Sequence, residues 1–305
     1  MEGIIYLVSA IIPTFNRAEK ISDLCSSLKE SLKSGLDEVI VVMDGYCEKT
    51  FDELNKWEDQ LPLKIISQEK ESPAKARNNG IKCSRNKLLW FLGDDCIVEK
   101  DCLEKMLIYA DKYDIIQGNI KYPEEWLKDN FTYFLEKMSP VQNYFDKYEG
   151  KTIPFYAVST SNLLVNKEII AEAGLLDERF KKAIYEDTEW AFRLSKKSPE
   201  IVFAKEASVS HIHKPVLGDF CKRLVDGGYY AAFLSHLHPE TSQFLNLDTQ
   251  KSAKTLFFNK YTINLWFRFA KNKTKRNWFL FFAYRGLLNY HHKKGLEAAQ
   301  KEGLL

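Results

Sequence analysis

The sequence predicts an α/β protein: a mostly parallel, twisted sheet covered by helices, followed by a helical C-terminal extension. Three observations carry this. Strand-like and helix-like stretches alternate over residues 1–120. The strand-like runs are continuously apolar, as strands covered on both faces are. From Pro215 onward the periodicity is helical to the end.

Taken in order, Ile4 to Ile12 is a β-branched run that reads as the first strand. Glu19 to Lys33 repeats apolar residues at Ile21, Leu24, Cys25 and Leu28, a helical stripe. Val39 to Met43 and Leu63 to Ile66 read as the second and third strands. Residues 74–84 read as a helix and Leu88 to Leu92 as the fourth strand. A helix over 99–110 and a strand from Asp114 to Gly118 follow. Residues 120–155 mix aromatic and charged side chains, with a helix near 125–138 and an irregular segment to Ile153. Strand character resumes over 155–165, then a short helix at 167–173, a loop at 174–185, a helix over 186–197 and a strand from Ile201 to His211. The helical remainder is broken near Gly227-Gly228, at 235–250 and at 271–275. No internal repeat or low-complexity segment interrupts this order.

The 305 residues, 45% hydrophobic and 28% charged, exclude a disordered chain, a collagen-like repeat and a disulfide-stapled miniprotein. The longest apolar run, Trp278 to Tyr284, stops at Arg285, well short of the ~20 residues of a membrane span. Met1-Glu2-Gly3 lacks the basic region of a signal peptide and reads as the lead into a strand. The six cysteines are scattered, with no CxxC pair, which predicts reduced thiols and a cytoplasmic protein. Charge is asymmetric. Residues 251–305 hold twelve Lys/Arg against two acids, net +10, which leaves 32 bases and 40 acids before them, net −8. The same tail holds twelve of the 41 aromatic residues.

In an α/β sheet, ligands gather outside the carboxyl ends of the strands. After the first strand comes Pro13-Thr14-Phe15-Asn16-Arg17, without the GxGxxG of a dinucleotide site. The second strand ends in Asp44-Gly45, which reads as a turn or as an acceptor for a base or ribose. The fourth ends in Gly93-Asp94-Asp95, where adjacent carboxylates need solvent or a cation to offset their repulsion. Placed at the ligand edge, they favour a divalent ion held with diphosphate oxygens. Arg77, in Ala76-Arg77-Asn78-Asn79-Gly80, can neutralise a phosphate or pair with Asp44 or Asp94. Glu186-Asp187 opens a helix, where acids suit the dipole and a carboxylate can also act as general base. Glu189 and Arg193 read as an i,i+4 surface pair. His211 and His213 close a strand at i and i+2, so either can reach a metal.

In this order the elements resemble the family 2 glycosyltransferases of the GT-A fold, over roughly residues 6–234. The resemblance implies an inverting enzyme that uses a nucleotide-sugar donor. Ser9 to Arg17 resembles the family's opening strand and nucleotide-binding turn, which makes Pro13, Thr14, Asn16 and Arg17 donor-binding residues. Asp44 resembles the Asp that contacts the base, and Ala76 to Gly80 the helix beside the diphosphate, with Arg77. Phe91 to Asp95 resembles the DxD-type element, so Asp94 is assigned to the ribose and Asp95 to a metal. Asn162 falls on the acceptor-side Asn. Glu186-Asp187 matches the catalytic pair whose Asp is the base, and His211 or His213 the histidine of the metal site.

The resemblance therefore implies Mn²⁺ or Mg²⁺, a UDP- or dTDP-type sugar donor, and a saccharide or lipid-linked saccharide acceptor in bacterial surface polysaccharide synthesis. Residues 1–120 form the nucleotide-sugar half, 121–215 the acceptor-binding and catalytic half, and 216–305 a helical, basic and aromatic region. A nucleotidyltransferase on a similar sheet and a non-catalytic sugar-nucleotide or nucleic-acid binder are the alternatives, though no nucleic-acid partner is expected. In 251–305, Phe257, Phe258, Trp266, Phe267, Trp278, Phe279, Phe281 and Phe282 stand among Lys260, Arg268, Lys271, Lys273, Lys275 and Arg276. That mixture fits peripheral contact at the inner face of the membrane, and equally helices that pack their rings on the catalytic domain.

Overall fold

Apolar runs became strands wherever helices cover both faces. β1 (Val8–Thr14), β2 (Leu36–Asp44), β3 (Leu63–Gln68) and β4 (Leu88–Leu92) lie parallel in the order β3-β2-β1-β4. Between them run α1 (Ala18–Leu28), α2 (Glu48–Asn55) and α3 (Pro73–Cys83). α1 buries Ile21, Leu24, Cys25 and Leu28, the predicted stripe. α3 starts at Ser72, whose hydroxyl accepts from the Lys75 N–H, with Pro73 in the first turn. Its Gly80 allows close approach to the sheet, since a Cβ there would lie 2.5 Å from Ile11 Cγ2.

The computed structural model describes residues 6–138, 148, 150–247, 257–272 and 275–305. They fall into two units, one of residues 1–123 and 140–213, the other of 124–139 and 214–305. The first unit continues with β5 (Cys96–Val98), α4 (Cys102–Leu107), β6 (Ile115–Lys121) and β7 (Thr152–Ile153). It is completed by β8 (Asn162–Asn166), α5 (Lys167–Ala173), α6 (Glu186–Ser195) and β9 (Ile201–His211). Beyond β4 the sheet runs β8-β6-β9-β5, with β7 on β9. β8 is antiparallel to β4 and β6, while β6 and β9 are parallel, so this half is mixed.

Period-2 alternation sorts the core. Val8, Ala10, Ile12 and Trp90 face one cluster, with Leu24 of α1 and Leu103 of α4. Ile11, Leu89 and Phe91 face the other, with Ile81 of α3, Ile170 of α5 and Trp190 of α6. All six cysteines are free thiols.

Several boundaries differ from the sequence reading. β1 starts at Val8, and Ile4 and Ile5 lie outside the described residues. The strand expected over 155–165 shrinks to Asn162–Asn166, preceded by a 3-10 turn at Phe155–Ala157. β5 is only three residues long and carries no periodic signal of its own. In place of one helix near 125–138 there is a 3-10 turn, Glu124–Lys128, and a new helix start at Asn130–Tyr133. The side chain of Asp129 caps that start by accepting from the Phe131 and Thr132 N–H groups. The expected irregular segment lies outside the described residues at 139–147 and 149, as does Lys273.

The second unit is built on α7 (Leu217–Leu237), α8 (Ile263–Asn272) and α9 (Trp278–Lys301). α7 runs unbroken through Gly227-Gly228, against expectation. The glycines serve helix contact: a Cβ on Gly228 would lie 1.9 Å from His292 O, and one on Gly295 1.9 Å from Val225 O. Backbone packing against α9 outweighs the ~1 kcal/mol per residue that glycine costs a helix. Among the described residues, no helix is long and apolar enough to cross a membrane.

Candidate active site

The carboxyl end of β1 begins the site. β4 pairs with β1 only as far as Ile11, so Pro13 interrupts no ladder on that edge. Thr14, buried, donates its hydroxyl to Asp94 Oδ2 at 2.8 Å. Asn16 takes a left-handed conformation, φ 52°, which asparagine tolerates better than most residues. The chain then presents Arg17, whose Nη1 donates to Asp94 Oδ1 at 2.9 Å and to Asp95 Oδ2 at 2.5 Å. The Arg17 guanidinium thus offsets part of the charge of the adjacent carboxylates.

Both carboxylates are buried, and their environments push them apart. Burial raises Asp94 above the usual carboxylate range, against the opposing charge of Arg17. Burial acts the same way on Asp95, but the hydrogen bond and charge of His211, joined by Arg17, outweigh it and hold Asp95 well below that range. His211 arrives through β5: it ends β9 opposite Cys96, which follows Asp95. Its Nε2 lies 3.3 Å from Asp95 Oδ1, and the Ile212 N–H donates to Asp95 O at 2.8 Å. β9 stops at His211, so strand alternation does not carry on to His213. His213 is exposed, its ring 6.2 Å from that of His211.

Among the described residues, no group of three His, Cys, Asp or Glu side chains forms a metal site by itself. Asp95 and His211 still offer one hard oxygen and one imidazole nitrogen side by side. That donor set suits Mn²⁺ or Mg²⁺ when a diphosphate supplies further oxygens. Asp94 is engaged by Thr14 and Arg17.

At the end of β2, buried Asp44 is oriented by Gln68 Nε2 at 2.8 Å and the Glu71 N–H at 2.7 Å, both donating to its Oδ1. Gly45, at φ 104°, passes close to Phe15: a Cβ there would sit 3.4 Å from its ring. The Lys70 ammonium covers the same ring at 3.9 Å from the centroid.

α3 acts as a clamp on the loop and helix that carry Asp187. Arg77 pairs with Glu186 at 3.1 Å, both buried, in place of the expected Asp44 or Asp94. Asn78 donates to Leu176 O and Glu178 Oε1 and accepts from the Leu176 N–H, each at 2.9 Å. Tyr185, at φ 66°, turns the chain into α6. Asp187 is half-buried in the first turn, its Oδ1 accepting from the Thr188 N–H at 2.8 Å. Glu186 therefore anchors the helix from below while its neighbour Asp187 remains accessible.

Two further residues are held differently from expectation. Asn162 is fully buried and bonded within the sheet. Its Oδ1 accepts from Trp90 Nε1 at 3.0 Å, and its Nδ2 donates to Asn119 O at 3.0 Å and Ala207 O at 2.9 Å. It fills the register shift between β6 and β9 beside Gly118, where a Cβ would lie 2.2 Å from Asn162 Nδ2. Glu189 is buried too. Arg193 meets it through Nε at 2.7 Å and Nη2 at 2.8 Å, and also donates to Ala173 O at the end of α5 and to Leu175 O beyond it. Glu189→Gln removes the carboxylate charge that meets both Nε and Nη2 of that guanidinium and is expected to cost about 2 kcal/mol. A thermal melt with a midpoint several degrees lower would show this, whereas a surface pair would leave the midpoint unchanged.

Sequence reasoning missed the bridge made by Arg17 and the pairing of Arg77 with Glu186. The signal for the first was the unbalanced Asp94-Asp95 pair. The second had none, because a side chain's distant partner leaves no local pattern.

With this geometry in hand, comparison with known proteins gives a consistent answer. The family described as Glycosyl transferase family 2 matches residues 9–172. The glycosyltransferase AglE of Haloferax volcanii is 25% identical over 235 residues, which cover 73% of this chain and 72% of that protein. Poly(ribitol-phosphate) beta-N-acetylglucosaminyltransferase TarS of Staphylococcus aureus is 30% identical over 108 residues, 34% of this chain but only 19% of TarS. The crystal structure of S. aureus TarS superposes with a TM-score of 0.57 at 17% identity, over 96% of this chain and 55% of that one. TarS structures include complexes with UDP and with UDP-GlcNAc. The mannosyltransferase PcManGT from Pyrobaculum calidifontis, solved with GDP-Man and Mn²⁺, superposes with a TM-score of 0.58 at 15% identity. That match covers 97% of this chain and 86% of the other.

Proposed function

The chain belongs to glycosyl transferase family 2, with the GT-A fold, and on that footing we propose that it moves a sugar from a nucleoside-diphosphate donor to an acceptor hydroxyl with inversion of the anomeric centre. The observation that carries this reading is the convergence of Thr14, Arg17, Asp94, Asp95 and His211 at the carboxyl ends of β1 and β4.

In this reading Asp44, oriented by Gln68 and the Glu71 N–H, accepts from the base. Asp94 meets the ribose, and Pro13, Thr14, Asn16 and Arg17 form the turn that lines the diphosphate. Arg77 keeps a buried Nε without a hydrogen-bond partner among the described residues, a donor through which it can serve the same anion. Asp95 and His211 would hold a divalent ion, which when bound offsets the negative charge on the departing diphosphate. Asp187 takes the proton of the acceptor hydroxyl as that oxygen bonds to the anomeric carbon. The bond from that carbon to the diphosphate breaks on the opposite face, and its electron pair leaves with the nucleotide. No covalent enzyme intermediate is required, in keeping with buried thiols such as Cys102, which burial pushes up to about 12.

The donor we infer is a UDP- or dTDP-type sugar, supported by the complex of TarS with UDP-GlcNAc. The acceptor is a saccharide or lipid-linked saccharide of surface polysaccharide synthesis, reached from the cytoplasm at the inner face of the membrane. The test is the anomeric configuration of the product, read by NMR on the first turnover with an α-linked donor. A β-linked product is expected. An α-linked product would exclude the single in-line displacement and would remove Asp187 as its base.

A further inference from the structure

The aromatic residues of the C-terminal region divide into an inner and an outer set. Phe258 is buried against Trp266 and Phe282, at 4.8 and 5.4 Å between ring centroids, and fills the space above Gly286. Phe281 stacks on Tyr133 and lies tilted against Phe134 in the same unit. These rings hold the unit together. The outer set does not: Phe257, Tyr261, Leu265 and Trp278 are 56%, 81%, 70% and 76% exposed.

Apart from Phe257, the outer set follows one line along the segment. Tyr261, Leu265 and Phe269 stand four residues apart along α8 and the turn before it, so they line one stripe. Phe269 touches Phe279 at 5.3 Å, and Phe279 touches Trp278 at 5.6 Å, which carries the stripe onto the first turn of α9. Lys260, Arg268, Lys271 and Lys275 are exposed along the same segment, and no Asp or Glu occurs anywhere in 249–296.

Large apolar side chains left exposed together mark an interaction site. Aromatic rings settle at the headgroup level of a bilayer, and neighbouring bases draw on anionic lipid, each for roughly fivefold in affinity. A second copy of the chain is the poorer occupant, because a two-fold contact would set this acid-free patch against itself. We propose that the surface carrying Tyr261, Leu265, Phe269 and Trp278 is a membrane-docking surface for anionic lipid headgroups. Leu265 and Trp278 enter the interface, and Arg268, Lys271 and Lys275 meet the phosphates. Its purpose rests on the reading that transfer takes place beside a lipid surface; its evidence does not.

The test is flotation of the full chain with vesicles of phosphatidylcholine alone and of phosphatidylcholine mixed with phosphatidylglycerol. Wild type is expected to float with the anionic vesicles at low salt, less at moderate salt, and not with phosphatidylcholine alone. The Leu265→Ser, Trp278→Ser double variant should bind at least tenfold more weakly. The Arg268→Gln, Lys271→Gln, Lys275→Gln triple variant should lose about 10²-fold. Circular dichroism confirms that each variant is folded. Wild type left at the bottom of the low-salt gradient overturns the proposal, as does a double variant that floats like wild type. A wild-type dimer without lipid that the double variant abolishes overturns it in favour of self-association. A thermal shift with sugar nucleotide on the same samples reports separately on the transferase reading.

Discussion

Asp187→Asn is expected to lower transfer by about 10²- to 10⁴-fold while leaving the fold and donor binding near wild type. Asparagine keeps the size of the side chain and an oxygen for the Thr188 N–H, 2.8 Å away, so the first turn of α6 retains its bond. What it loses is the capacity to take a proton at neutral pH. The neighbouring substitution fails for a different reason. Glu186→Gln leaves Arg77 buried without a counter-charge, and the two side chains are only 6% and 2% exposed. That costs on the order of 3 kcal/mol of stability. The contrast is the diagnostic: Asp187→Asn loses turnover at an unchanged melting temperature, and Glu186→Gln lowers the melting temperature itself. Asp187→Asn that turns over at the wild-type rate would mean that the base lies elsewhere.

Asp95→Ala is expected to remove divalent-ion dependence and to weaken Mn²⁺ binding by at least about 10²-fold. Asp95 stands in the turn after β4, outside the apolar clusters of the sheet, so its loss opens no cavity in the core. Its removal frees His211 from a contact of 3.3 Å and leaves Arg17 with Asp94 alone. The variant should therefore fold and lose the Mn²⁺-dependent rise in melting temperature that wild type shows with a sugar nucleotide. Wild-type turnover together with a wild-type Mn²⁺ shift would remove Asp95 from the metal site.

The parts of the fold legible in sequence are those that local periodicity dictates. β4 and α5 match their predicted spans residue for residue, because a continuous apolar run and a capped helix leave little freedom at their ends. β9 likewise ends where expected, which placed a histidine at the ligand edge. Partners chosen across the fold were not legible. Asn162, expected on the acceptor side, plugs the register shift between β6 and β9, a feature that exists only once both strands have paired. Glu189 and Arg193 matched the spacing of a surface pair, but Arg193 also serves the carbonyls of Ala173 and Leu175 at and after the end of α5, which draws the pair inside. Gly227-Gly228 read as a break because isolated helices penalise glycine, whereas here the glycines admit a second helix.

A nucleotide-sugar site completed by a divalent ion ties donor binding to the metal. The measurement that bears on it most directly is the melting temperature of the wild-type chain against UDP-, dTDP- and GDP-sugars, each with and without Mn²⁺. A ligand that binds only the folded state raises that temperature by mass action. A rise with a uridine or thymidine diphosphate sugar, large with Mn²⁺ and small without it, is the predicted result. No rise with any sugar nucleotide in the presence of Mn²⁺ would contradict the account.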